Sequence, residues 1–417
     1  MTRSIAIVGA GVLGCTAALL AARRGWRVTL LDRAPRAWSG ASASGEGKVH
    51  LGLVYALGDA ATQRHILGGA LSFARVLEGA VGRPLPWSRL AGEPFRMVVM
   101  PDSLLPVEAL AERYAALDAL LRAEHPGAAY LGAPLPRLHE PVVVTDPATG
   151  LPALDVAERA VHPARLRAIV LEAIEREPRI RVLTGRRVLA VDDDADGVVV
   201  RHTAEVSDGR GDAEASPAGA STTLRADAAL LCAWESQAAL HADPQAAPLS
   251  LRFKTALTIP AAAIDTDHCR TMTLVVGPYG DVVRRDDSVY ASWYPAGRLV
   301  HEQGLAPSAE ARAQVGAIDA AHPTVDEQLA ALTAIGALPP LRPGGRERVS
   351  IAGGWIVAEG DRDIDRADSG LHDRHGDVLA VRGRVLSPRN WKFSTAPLAA
   401  ERAVAALGAL LDGEAAA

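Results

Sequence analysis

Lysine is almost missing from this chain: of 44 Lys plus Arg residues, only Lys48, Lys254 and Lys392 are lysines. Arginine supplies positive charge everywhere else. A lysine that persists under such a bias reads as needed for its compact ammonium or tunable pKa, which a guanidinium cannot offer. Cysteine is as scarce. Cys15, Cys232 and Cys269 lie far apart, which excludes a disulfide framework, a thiolate metal site and the paired-cysteine motif of a disulfide reductase, and fits a reducing cytoplasm. No apolar run approaches the ~18 residues of a membrane span. Ile5–Ala22 resembles a signal peptide, yet only about nine apolar residues precede Cys15, so a cytoplasmic protein with no membrane partner is expected. A formal charge of −5 and the lack of a basic stretch leave nothing to neutralise a run of phosphates, so nucleic acid is not an expected partner.

What is present suffices for two lobes: 417 residues, 49% of them hydrophobic. Ser4–Val8 reads as a buried strand, Val12–Arg24 as an Ala- and Leu-rich helix closed by Gly25, and Trp26–Leu31 as a second strand ending in Asp32. Between the first strand and the helix stands Gly9-Ala10-Gly11-Val12-Leu13-Gly14. In this context Gly9 permits the turn, Gly11 lets backbone approach a pyrophosphate, and Gly14 lets helix pack on strand. The helix N-terminus offers amides and partial positive charge. Asp32, with Arg33 beside it, is placed to accept from a ribose diol, which disfavours NADP. The motif says dinucleotide; NAD and FAD share it. Farther on, Leu249–Pro260, Thr271–Val276, Gly280–Arg284 and Ser288–Tyr294 read as strands of an antiparallel sheet. Ala306–Ile335 reads as helical, and Pro397–Leu411 as the last helix.

Further segments resemble the D-amino-acid oxidase family of FAD-dependent oxidoreductases, which includes glycine oxidase and monomeric sarcosine oxidase. They are the loop Gly40-Ala41-Ser42-Ala43-Ser44-Gly45-Glu46-Gly47-Lys48, the helix start Val161-His162-Pro163, the strand around Val188, and Asn390-Trp391-Lys392-Phe393-Ser394-Thr395-Ala396-Pro397. The resemblance implies non-covalent FAD, with Ser42, Ser44, Lys48, Val188, Trp391, Lys392, Phe393 and Ser394 joining the glycine turn as cofactor-binding residues. It implies an α/β fold with a Rossmann-like FAD-binding domain (1–85, 150–248 and 345–417) and an inserted antiparallel-sheet substrate domain (86–149 and 249–344). One departure stands out. The family places a small residue and glycine where this chain has Cys232-Ala233-Trp234-Glu235.

Roles follow as expectations from that resemblance. Lys48, with Lys254 as an alternative, steers oxygen at the flavin. His50 packs there, or carries FAD covalently as in one branch of the family. Arg298 and Tyr294 grip a substrate carboxylate. The expected reaction is oxidation of a C–N bond of a small amine or amino acid by hydride transfer to flavin N5, with O2 or an electron carrier as acceptor. The alternative is an NAD-binding or non-redox protein on the same fold. Asp361, Asp363 and Asp365 mimic calcium-loop spacing, but lack the glycine and distal Glu of such a loop; a solvated or arginine-paired loop near the site's mouth is expected, and no metal.

Overall fold

The computed structural model describes residues 2–194, 196–204, 221–243, 246–374, 378–390 and 392–413. The stretch 204–222, rich in Gly, Ser, Asp and Ala, falls mostly outside them. The opening βαβ unit forms as predicted. Apolar strand Ser4–Val8 pairs in parallel with Arg27–Leu31 on one side and Ala228–Leu231 on the other. Outward from these lie Ile180–Leu183 and Val385–Arg389, both parallel, and Val378–Arg382 closes the edge antiparallel. From Ser4–Val8 the sheet is built in both directions, which makes the C-terminal end of this strand the topological switch point, where such sheets bind ligands.

Two helices begin at that edge. Val12–Arg23 follows the first strand and Ala396–Leu411 follows Val385–Arg389. Val12–Arg23 is apolar nearly all round because it is covered on several sides, by the sheet and by helices Ala60–Val81 and Ala396–Leu411. The approach is close. A Cβ on Gly69 would stand 2.5 Å from Thr395 Cγ2, so a glycine is required there for the closing segment to seat.

The second sheet has ten strands, with Leu249–Pro260 as its hub. That strand pairs antiparallel with Ser288–Trp293, Arg298–Gly304 and Ser350–Ala358. Gly280–Arg284 and Met272–Val275 continue the meander. The sheet is not purely antiparallel: Met272–Val275 runs parallel to Ala91–Val99. Pro152–Val161 then pairs with Ala91–Val99 and with Lys48–Val49. Three strands that sequence grouped with the flavin lobe (Lys48–Val49, Pro152–Val161 and Ser350–Ala358) therefore hydrogen-bond in this second sheet. Pro152–Val161 was hidden behind a proline-rich turn that reads as a boundary. The helical stretch read as Ala306–Ile335 is two helices, Ala309–Gly316 and Thr324–Ala334, broken between Gly316 and Pro323. Arg186–Asp194, Gly197–Ala204 and Thr222–Ala226 form a smaller antiparallel sheet.

Candidate active site

The glycine turn is built for close approach. Gly9 sits at φ +101°, and a Cβ there would lie 2.2 Å from the Cys232 carbonyl oxygen. A Cβ on Gly14 would lie 1.8 Å from Gly9 O. Gly11 differs: only Ser42 Oγ comes near, at 3.1 Å, so its missing side chain leaves room on the outer side. No side chain caps the helix through its N-cap residue, Gly11. Val12 N–H donates to Ser42 Oγ at 3.1 Å, and Leu13 is half-buried beside it. Asp32 accepts Ala10 N–H at 2.6 Å and Ala34 N–H at 2.8 Å, one on each carboxylate oxygen, which fixes the acid against the turn and leaves lone pairs for a diol. Its neighbour Arg33 is turned instead into an ion pair with Glu235. Val188 lies on Arg186–Asp194, opposite His202, two residues past the point where Arg186 N–H donates to Asp32 O at 2.8 Å.

Ser42 connects this turn to a cavity of about 310 Å³. Helix Ala41–Ser44 lies against Ser350–Ala358, where Gly354 makes room: a Cβ there would lie 2.6 Å from Ser44 Oγ. Ser42, Ser44, Lys48, His50, Lys254, Tyr294, Lys392 and Phe393 all line the cavity, so all three lysines of the chain meet in one place. Ser394 is fully buried, and its Oγ has no hydrogen-bond partner among the described residues. Trp391 lies outside the described residues. Thr395, at the N-cap position of the last helix, turns its hydroxyl to Asn390 Oδ1 and the Lys392 carbonyl, so no side chain caps that helix either. Trp234 stands in the left-handed region at φ +48°, where glycine is usual, and its indole lines the cavity while Nε1 donates to Trp355 O at 2.7 Å.

Five cations border the cavity: Lys48, Lys254, Lys392, Arg252 and Arg374, against two carboxylates, Glu46 and Asp281. Lys48 is 2% exposed, and its ammonium donates to Asp281 Oδ1 and Thr273 Oγ1 while lying 4.3 Å from the Phe95 ring centroid. Lys254 Nζ is 3.8 Å from the other Asp281 oxygen. Burial alone would lower the Lys48 pKa, but Asp281, Glu158 and Glu46 outweigh it and hold the group above its ordinary range. Burial opposes the charge of Asp281, yet the two lysines keep it well below the carboxylate range. Lys392 goes the other way. Burial, then repulsion from Arg374 and Arg252, bring its pKa down to about 7, with Glu46 opposing.

His50 Nδ1 is 3.3 Å from Glu158 Oε1, and Glu158 Oε2 accepts Leu51 N–H at 2.6 Å. The opposite ring nitrogen lies 3.9 Å from Glu46. Arg298 does not line the cavity. Its NH1 is 2.9 Å from Asp363 Oδ2, the Tyr294 hydroxyl donates to Asp363 Oδ1 at 2.7 Å, and Arg252 NH1 is 3.2 Å from that same oxygen. The clamp expected to hold a substrate carboxylate thus holds one from the chain itself. Asp363 takes arginine partners, as expected for that loop.

Sequence matches the DAO family, described as FAD dependent oxidoreductase, over residues 4–404. This chain belongs to that family. As a DAO-family enzyme it is an FAD-dependent oxidoreductase, and the site fits the cofactor: an uncapped helix start over the glycine turn, an acid anchored for the ribose, and a cavity running from Ser42 to the start of the last helix. The fold is shared with glycine oxidase from Geobacillus kaustophilus (TM-score 0.60, 14% identity, covering 100% of this chain and 96% of that one). It is shared also with iminodiacetate oxidase from Chelativorans sp. BNC1 (0.58, 15%, 98% and 95%), and with L-amino acid deaminase from Proteus vulgaris (0.60, 14%, 99% and 90%). At such identities these likenesses speak for the fold alone. No curated protein matches this sequence. No helix among the described residues is long and apolar enough to cross a membrane.

Sequence reasoning missed Asp281, Glu158, Arg252 and Arg374. A signal existed for three of them: Asp281, Glu158 and Arg252 are charged residues inside strands whose neighbours are buried, where an unpaired charge would be costly.

Proposed function

We propose that this enzyme oxidises a C–N bond of a small amine or amino acid. The observation that carries the reading is the convergence of Lys48, Lys254 and Lys392 on a tyrosine-walled cavity that opens from the dinucleotide turn. When bound there, FAD supplies the two-electron acceptor. The turn of Gly9, Gly11 and Gly14 with Val12 and Leu13 holds the pyrophosphate, Asp32 the ribose, the backbone near Val188 the adenine side, and Lys392, Phe393 and Ser394 the ring end. Tyr279, Tyr290 and Tyr294 wall the substrate space and exclude water. A substrate carbon loses a hydride and its nitrogen a proton, and water hydrolyses the resulting imine. Lys392, near neutrality, can hold or release a proton at Nζ. Lys48, kept charged by Asp281, is a fixed cation for the oxygen that takes the electrons back, where O2 rather than a carrier is the acceptor. His50 is an orienting residue between Glu158 and Glu46, with FAD bound non-covalently.

The FAD-loaded protein, mixed anaerobically with a panel of amines and amino acids, should bleach near ~450 nm with at least one of them. Bleaching by hydroxy acids and by no amine would sink the reading.

A further inference from the structure

Glu158 lies on strand Pro152–Val161 with 0% of its surface exposed. The antiparallel register that pairs Lys48 with Ala160 and Val49 with Arg159 brings His50 opposite it. A buried carboxylate is costly unless its lone pairs are taken, and two groups face this one. Leu51 N–H donates to Oε2 at 2.6 Å, and His50 Nδ1 lies 3.3 Å from Oε1. An ionised carboxylate only accepts, so the ring hydrogen stands on Nδ1 and Nε2 keeps its lone pair. His50 lines the cavity, with the Tyr55 ring edge-on to it at 5.8 Å between centroids. Glu46 Oε1 is 3.9 Å from Nε2, beyond hydrogen-bond reach. A buried acid, an imidazole and an open lone pair thus run in line from the sheet to the cavity.

We propose that Glu158 is a positioning residue that fixes this tautomer, and that His50 Nε2 takes the proton of the substrate nitrogen. His50 then does more than orient. The substrate's N–H bond breaks with its electron pair left on nitrogen, an Nε2–H bond forms, and the neutral amine is the species whose carbon can release a hydride. The imidazolium so formed lies between the carboxylates of Glu158 and Glu46, fixed charges that need no reorganisation. Lys48, held protonated by Asp281, cannot accept. Lys392 is the rival acceptor on this cavity, and removing the imidazole separates the two.

This rests on the reading that an amine is oxidised here, but its first test needs no turnover. FAD-loaded full-length protein carrying isotope-labelled histidine is followed by nitrogen NMR at about pH 8, where free imidazole is neutral. His50→Gln identifies the His50 signal among those of the twelve histidines. The expected pattern is a protonated Nδ1 and an unprotonated Nε2. In Glu158→Gln the single amide oxygen stays with the fixed Leu51 N–H, the NH2 turns to Nδ1, and the proton should move to Nε2. With an amine that bleaches the wild type, Glu158→Gln should slow anaerobic reduction at saturating substrate about a hundredfold, with half-saturation moved by less than about threefold. Added imidazole should restore much of the rate lost in His50→Ala. A protonated Nε2 in the wild type overturns the assignment; so does a Glu158→Gln enzyme reduced at the wild-type rate, or a His50→Ala enzyme that imidazole does not rescue. Should one variant not fold, the other still marks the His50 signal, by its loss or its shift. The stated tautomer in a protein that no amine bleaches sinks the C–N reading and keeps the pairing of Glu158 with His50; bleaching by amines with Nε2 protonated does the reverse.

Discussion

Lys48 and Lys392 border one cavity, the first buried and the second half-buried, yet their pKa values move apart. Lys48 comes from a short strand of the ten-stranded sheet and finds Asp281 across that sheet. Lys392 precedes the closing helix and meets Arg374 and Arg252 instead of an acid. Burial works against the charge on both lysines; the company each keeps decides the outcome. One end of the cavity is neutralised from within, and the other is left positive.

Breaking the neutral end should have the largest effect. Asp281→Asn strands the Lys48 ammonium in a dry site and should cost about 3–5 kcal/mol in denaturant unfolding. Adding Lys48→Met should return much of that, because the lost pair is then gone at both ends. If Asp281→Asn is as stable as wild type, the contrast between the two lysines has no physical basis. Next in size, Lys48→Met should slow reoxidation of the reduced enzyme by O2 about a hundredfold while leaving anaerobic reduction nearly unchanged, as stopped-flow absorbance can separate. The positive end gives a smaller, pH-dependent signal. The folded pKa of Lys392 is about 7, below its unfolded value, so between the two the unfolded chain binds more protons and stability rises with pH. Lys392→Met should therefore stabilise the cofactor-free protein by about 2 kcal/mol below pH 7, a gain that shrinks as pH climbs toward 10. A pH-independent gain would mean that Lys392 is charged throughout.

The dinucleotide half was legible because its requirements are local. Gly9, Gly11, Gly14 and Asp32 lie within one βαβ unit, and each answers a short-range demand of turn, packing or hydrogen bond. The scarcity of lysine singled out three residues, and the structure places all three on one cavity. What remained hidden depends on register between distant strands. Asp281 faces Lys48 because Gly280–Arg284 and Lys48–Val49 enter the same sheet through Met272–Val275, Ala91–Val99 and Pro152–Val161, an order no local pattern encodes. Arg298 and Tyr294 do stand together as read. Their partner is Asp363, nearly seventy residues on in the chain, and no spacing rule gives an acid in a loop as the occupant of an arginine fork.

The seating of Thr395 against Gly69, and of the last helix along the first, sets an order of events during synthesis. Helix Val12–Arg23 can pack early on its own sheet and on Ala60–Val81, but the flank that faces the last helix stays uncovered until residues beyond 396 emerge. The glycine turn and the closing helix lie more than 380 residues apart in the chain, so shortening the closing helix should leave a chain that recognises the nucleotide poorly and exposes an adhesive surface.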